Sequence, residues 1–196
     1  MSKSDDFLFE TARLAMRSIK MTDKEVIYQL YTDPKVIRFD NTNGIKSMEE
    51  VESFISQLAH PYVQYHTVRF AIIEKETNQM IGTCGFRNWD RTSSHAEIGG
   101  NIISSCWGKG FATEIVPALV RYGFYTFNLN KLHAYTVTKN KAVVKLLEKN
   151  HFKKEGILRQ YYRINEKYEN VYLYGKLKQE ELKKEPKTTN TDKRKV

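Results

Sequence analysis

The hydrophobic and polar positions change rhythm several times along the chain. In "ARLAMRSI" apolar and polar residues alternate, the period of a half-buried strand. "TDKEVIYQLYTD" switches to helical spacing, with Val26, Ile27, Leu30 and Tyr31 on one stripe, Thr22 or Asp23 as the cap and Pro34 as the terminator. A second helical stripe, Val51, Phe54, Ile55 and Leu58, follows the capping-box pattern Ser47–Glu50 and is closed by Pro61. The period then returns to two: "VRFAIIEK" and "QMIGTCGFR" flank the polar "ETNQ", which predicts an antiparallel hairpin, and "HAEIGGNII" predicts a further strand. Phe111, Ile115, Leu119 and Tyr122 mark one face of the next helix, where Pro117 removes one backbone hydrogen bond and predicts a local bend. "KLHAYTV" reads as a strand and "NKAVVKLLEKN" as a helix. "FKKEGILRQYYRI" and "NVYLYGKLK" read as two last strands joined by the polar "NEKYE" turn. With no internal repeat and no linker, these elements imply one mixed α/β domain.

Composition narrows the class. The chain has 196 residues, 40% of them hydrophobic, which suits one full-sized core. No apolar run approaches the roughly 20 residues that span a bilayer. The start, "MSKSDDFLFE", has acidic residues and no cleavable apolar segment, so no secretion signal is predicted. Cys84 and Cys106, without metal-like spacing, are expected to be reduced thiols of a cytoplasmic protein. The net charge of +9 is uneven: residues 176–196 hold eight Lys and Arg against four Asp and Glu. A domain over residues 1–178 and a basic, disordered tail over 179–196 are expected. The tail lacks interleaved aromatics, so only non-specific contact with nucleic acid is expected of it. The milder basic bias of the domain favours anionic partners such as phosphates.

The sharpest local feature is "EIGGNIISSCWGKGFATEIV", which reads strand, glycine turn, helix. The first N–H groups of a helix have no internal partner and, with the helix dipole, form an anion site. Gly108 and Gly110 would let the backbone come close to a pyrophosphate, with Lys109 adding a cation; the same glycines would also serve a merely compact turn. The pattern is neither a Walker loop, which needs a Lys-Ser/Thr pair after the glycines, nor a dinucleotide fingerprint, whose third glycine is replaced by Thr113.

"WGKGFATE", followed some way on by "NKAVVKLLEK", resembles the GNAT superfamily of acetyl-coenzyme A-dependent N-acetyltransferases. Within it, the branch containing ribosomal-protein N-terminal-alanine acetyltransferases is the most similar. The resemblance implies a mixed, mostly antiparallel central sheet, splayed at its middle and flanked by helices on both faces. "EIGGNII" and "KLHAYTV" would lie side by side and parallel, with the glycine-turn helix crossing between them. It implies acetyl-CoA as acetyl donor and a pyrophosphate loop over residues 105–110, cradled by the N–H groups of Gly108 to Ala112; no metal is expected, since the sequence shows no metal-ligand cluster. The implied cofactor-binding set is Ile102, Ile103, Trp107, Gly108, Lys109, Gly110, Phe111, Ala112, Thr113 and Asn140. Ile102 and Ile103 would offer free backbone groups to the pantetheine arm, and Asn140 its side chain. Ser105 departs from the Gln or Arg of the family loop, and Val143 stands where a Ser is often found. Asn150-His151 replaces the glycine after that helix, so Asn150 is expected in the left-handed cap conformation. Dimers are common in the family, though no residue here selects one.

Acetyl transfer to an amine requires that the nucleophile lose a proton, the oxyanion be stabilised and the thiolate leave. An α-amine titrates near about 8 and a lysine near about 10.4, so a modest base suffices for the first. Strand alternation puts His95, Glu97, Gly99 and Asn101 on one polar, glycine-thinned face. Glu97 also matches the Glu of the branch's "AEIG" motif, which makes it the candidate base; pairing with a nearby Lys or Arg is the competing role. A backbone N–H near Ile102 is the candidate oxyanion donor. His95 and His133 are weaker candidates, and Cys106 has no partner His. Leu147 occupies the position of the tyrosine that many family members use to protonate the thiolate, which leaves Tyr135 or water. Trp89, Phe86, Phe39, Tyr161 and Tyr162 would line a cleft or fill the core, and the helices over residues 28–58 would cover the acceptor side. The expected acceptor is a primary amine: a protein N-terminus, a polyamine or an antibiotic-like amine. A non-catalytic acetyl-CoA-binding or ribosome-associated module is the alternative, favoured by Leu147 and the tail and opposed by Glu97 and the intact "WGKGFATE".

Overall fold

The computed structural model describes residues 7–40, 45–58 and 67–182. The chain begins with strands β1 (Phe9–Glu10) and β2 (Leu14–Ser18) and helices α1 (Lys24–Thr32), α2 (Pro34–Ile37) and α3 (Met48–Leu58). Strands β3 (Val68–Glu74), β4 (Gln79–Asp90) and β5 (His95–Ile102) lead into α4 (Phe111–Tyr125), β6 (Lys131–Val137) and α5 (Lys141–Lys149). The hairpin β7 (Lys153–Ile164) and β8 (Lys167–Leu177) and the short α6 (Lys178–Leu182) complete it. The strands form one eight-stranded sheet in the order β1-β2-β3-β4-β5-β6-β8-β7.

Every neighbouring pair is antiparallel except β5 and β6. Those two run parallel and pair only at His95–Lys131, Ala96–Leu132 and Glu97–His133. Beyond Glu97, β5 continues to Ile102 and β6 to Val137 without further pairs, so the sheet opens at its centre as expected.

Alternation along β2 and β3 shows how the sheet serves two layers. Leu14, Met16, Phe70 and Ile72 face the large core with Phe111, Ile115 and Leu119 of α4 and Leu147 of α5. Ala71 and Ile73 face the other side, packed with Ile27 of α1 and Val51 and Ile55 of α3. One helix pair thus covers each face, and the period-two strands supply both cores.

Several local expectations change. Helix α1 ends at Thr32 with Asp33 extended before Pro34, as expected, and Pro34 also begins α2, where its fixed φ and missing N–H are harmless; Asp33 caps α2 by accepting from the Lys35 N–H at 2.8 Å. Asp23 precedes α1 without capping it, because its carboxylate is drawn into a buried bidentate pair with Arg17, both bonds at 2.8 Å. Ser47 does accept from the Glu50 N–H, at 3.3 Å, while Glu50 returns to the Lys46 N–H instead of that of Ser47. Pro61 lies outside the described residues. Helix α4 runs through Pro117 from Phe111 to Tyr125.

The turn between β7 and β8 is only Asn165-Glu166, both at positive φ, so the strands extend into the expected five-residue loop. Helix α6 continues past Lys178: in it, Glu180 accepts from the Leu177 N–H at 3.0 Å, and Glu181 pairs with the buried Lys176 at 2.8 Å. Helix α5 ends with His151, not Asn150, in the left-handed conformation (φ 61°), while Asn150 sits at φ −90°. The N–H groups of His151 and Phe152 bond to the carbonyls of Glu148 and Leu147, a Schellman ending with a β-carbon where glycine is favoured. His151→Gly is therefore expected to raise stability by about 0.5–1 kcal/mol, read as a higher Tm with an unchanged denaturant m-value.

Candidate active site

Residues 103–110 connect the end of β5 to α4 through one turn of 3-10 helix, Ser104–Cys106. Gly108 and Gly110 stand at φ 78° and 81°, the left-handed region that costs other residues strain. The backbone alone accounts for their being glycine. The space around them adds something else. A β-carbon on Gly108 would meet no atom within 4 Å, and one on Gly110 only the end of Arg13, at 3.6 Å. Gly82 and Gly100 in the sheet, by contrast, face backbone atoms at 2.2 and 2.6 Å.

The loop glycines therefore border an open cradle. Gly110 is the N-cap of α4 and has no side chain to cap it, so the first-turn N–H groups of Phe111, Ala112 and Thr113 receive no side-chain acceptor from it. Glu114 pins the loop from below. Its carboxylate takes bonds from the Arg13 side chain and backbone, both at 2.8 Å, and from the Thr11 hydroxyl at 2.5 Å, while Arg13 also donates to the Lys109 carbonyl at 3.0 Å.

The other residues expected around a cofactor divide into anchors and open groups. Phe111 is buried in the large core, so its side chain fixes the helix and only its N–H faces outward. Trp107 is 51% exposed, and its indole N–H donates to the Ile102 carbonyl at 2.8 Å. The Ile103 N–H is already bonded to Ile81 of β4 at 2.9 Å; by strand alternation the backbone of Ile102 faces the opened side toward β6. Asn140 caps α5, its Oδ1 accepting from the Val143 N–H at 3.3 Å, which leaves its Nδ2 for any further partner.

On the opposite face of the sheet, β4–β5 register aligns Arg87 with Glu97, Gly85 with Gly99 and Thr83 with Asn101. Glu97 is 3% exposed and sits at the last pair before β5 and β6 part. Both of its oxygens are engaged: Arg87 Nη2 donates to Oε1 at 2.5 Å and Asn88 Nδ2 to Oε2 at 3.1 Å. Burial works against the Arg87 charge, and the bond to Glu97 outweighs it, so this guanidinium is held protonated more firmly than usual. His133, paired with Glu97 across the parallel register, is buried, and its ring lies 5.4 Å from that of His95.

Tyr135 packs on His133 and stacks on Tyr161, which is 54% exposed and adjoins Tyr162. Burial, and then the charges around them including that of Glu97, push the Tyr135 and Tyr162 phenols up, so both keep their protons at neutral pH. Asp40 approaches the same face by accepting from Asn101 at 3.4 Å.

Of the aromatics weighed from sequence, Phe86 is core and Trp89 packs against Phe127. Phe39 and Tyr162 build a small third cluster beside Val137 and Val171, and only Tyr161 is exposed in the cleft. Leu147 and Cys106 are both in the large core. Arg87, Asn88 and Asp40 escaped the sequence reading. The alternation in "HAEIGG" exposes a polar face, but which β4 residue lies across from Glu97 follows only from the hairpin register.

A family model described as an acetyltransferase (GNAT) domain matches residues 13–153. The chain belongs to the GNAT family. Among GNAT relatives, the uncharacterized N-acetyltransferase p20 of Bacillus licheniformis is 36% identical over 170 residues, which cover 87% of this chain and 96% of the relative. The [ribosomal protein uS5]-alanine N-acetyltransferase of Escherichia coli is 30% identical over 105 residues, 53% of this chain and 54% of that one. The crystal structure of the spermidine N-acetyltransferase from Vibrio cholerae in complex with CoA and spermine superposes with a TM-score of 0.81 at 23% identity, covering 87% of this chain and 99% of that one. The open mixed sheet with flanking helices is thus the GNAT fold, and the protein is an N-acetyltransferase. Among the described residues, no helix is long and apolar enough to cross a membrane.

The field of Glu97 has a measurable consequence. Burial holds His133 below its ordinary imidazole range, while the Glu97 carboxylate pulls it back up. Replacing Glu97 by Gln should shift the His133 titration further down, read from its ring-proton NMR signals. An unmoved titration would show that the two groups are electrostatically uncoupled.

Proposed function

We propose that the protein transfers an acetyl group from acetyl-CoA to a primary amine by direct attack in a ternary complex, with Glu97 as general base. Acetyl-CoA supplies the acetyl group as an activated thioester. The observation that carries the reading is the place where β5 and β6 separate. The uncapped start of α4 with its open glycine cradle and the buried Glu97 carboxylate adjoin the same split, at the carboxyl end of the parallel strands, where α/β folds tend to bind ligands.

The chain's residues fit a bound diphosphate: three first-turn N–H groups without a side-chain cap, open space over Gly108, and the cations Lys109 and Arg13 beside it. Ile102 N–H, on the opened edge of β5, suits a pantetheine amide or a developing oxyanion. Glu97 accepts the proton of the amine, directly or through water, and passes it to solvent. Tyr135, which keeps its proton at neutral pH, is the donor on this face that could protonate the leaving thiolate in place of the absent tyrosine at Leu147.

The acceptor belongs to the amine class of the relatives, one of which acts on a ribosomal-protein alanine and another on spermidine.

Two measurements test the reading. Gly108→Asn keeps a residue that tolerates the left-handed conformation and adds a side chain into space that no protein atom occupies. Its Tm should stay close to that of the native protein while calorimetric affinity for acetyl-CoA falls at least about tenfold, or about 1.4 kcal/mol; unchanged affinity would leave the glycines as a turn alone. Glu97→Gln should lower turnover by about 10²–10³, most severely at low pH where the amine is mostly protonated, and leave acetyl-CoA affinity nearly unchanged. Equal turnover across the pH range would remove Glu97 from the reaction.

A further inference from the structure

Strands β4 and β5 pair in step from Gly82–Ile102 to Arg87–Glu97, then resume at Asp90–His95. Between those pairs Asn88 and Trp89 stand against Ala96 alone, which makes a β-bulge. Asn88 takes the left-handed conformation there (φ 52°), a state Asn tolerates better than most residues. In a regular strand, residues 87 and 88 would point to opposite faces of the sheet. Here both side chains reach the same carboxylate, Arg87 at Oε1 and Asn88 at Oε2.

We infer that the β4 bulge is a clamp for Glu97: it turns two successive residues onto the two oxygens of one buried carboxylate, fixing its aim, and makes Arg87 and Asn88 positioning residues for the reaction. The positioning role rests on Glu97 being the base, as proposed above; the clamp itself does not. A carboxylate this deeply buried loses its hydration, and a cation in contact with it is what favours the charged form. The groups around it are few. Arg87 and Asn88 face it from β4, His95 from its own strand, His133 and Tyr135 from β6 and Tyr162 from β7, with Asp40 acting on Arg87 from beyond α2. Of these, only Arg87 carries a permanent positive charge, and it is within hydrogen-bond distance.

The test uses the full chain labelled with carboxyl-¹³C glutamate, with the Glu97 signal assigned by its loss in Glu97→Gln. In Arg87→Met the Glu97 carboxyl should take up its proton about one pH unit or more above the native protein, and Arg87→Lys should recover most of that shift. Asn88→Gly retains the backbone conformation of the bulge and removes one donor, so it should show a smaller upward shift even if Arg87→Met folds poorly. Native titration in both Arg87→Met and Asn88→Gly overturns the clamp.

The acidic limb of kcat/KM, measured with acetyl-CoA and an alanine-starting peptide, should move upward in parallel, with KM for acetyl-CoA unchanged. A shifted carboxyl with an unmoved acidic limb would retain the clamp, overturn the positioning role and remove Glu97 as the base.

Discussion

The architecture turns on a parallel strand pairing that stops after three residue pairs. A parallel neighbour cannot be reached by a tight turn, so the chain must leave β5, cross the sheet as a helix and return as β6. That crossover is the glycine loop and α4, and it starts once β5 has run on unpaired from β6 to its end at Ile102. The partial pairing therefore sets the start of a helix, with its orphan N–H groups, beside a strand edge with free backbone groups. Antiparallel pairing on both sides of the split holds it open: β5 is bound along its length by β4, and β6 by β8.

Around this opening the two faces of the sheet have separate duties. The α4 side is apolar to its centre, with Phe111, Ile115 and Leu119 interleaved with residues of β2, β3 and β4, so the loop that feeds α4 is mounted on rigid packing. On the α1 and α3 side, apolar packing gathers around Ile27, Val51 and Ala71 and, in a smaller cluster, around Phe39, Val137 and Tyr162. On the same face stand Arg69, Thr83, Arg87 and Glu97, tied to one another and to α1: Arg69 donates to Tyr31 and Thr83, and Arg87 to Glu97. Buried polar groups of this kind hold position only when satisfied, and their satisfaction ties α1 to the sheet as well as fixing the carboxylate.

The elements legible in advance were those whose apolar period is long and uninterrupted. The strands Val68–Glu74 and Lys131–Val137 and the helix Phe111–Tyr125 follow the sequence pattern closely, because burial on a known face leaves one workable phase. Misreadings gathered at ends and turns, where a few atoms decide. Pro34 stops α1, as read, but it also starts the short α2 that Asp33 caps, which the pattern did not show. Asp23 looked like a cap, but a buried arginine made a stronger claim on it. Asn150 and His151 were equally placed to leave α5, and it is His151 that carries the left-handed turn.

The sequence by itself determined the alternation that buries one set of strand residues against α4, the glycines at positions that need positive φ, and the family motif spanning both. These are local properties, settled by backbone sterics and by the period of apolar side chains. Which groups meet Glu97 was decided only in the tertiary structure. Arg87 lies ten residues away and His133 thirty-six, and their meeting depends on a hairpin register, a bulge that turns Asn88, and a parallel pairing formed by a strand beyond the crossover helix. A single-residue slip in that register would send Arg87 to the other face of the sheet, and nothing local to Glu97 would record the change.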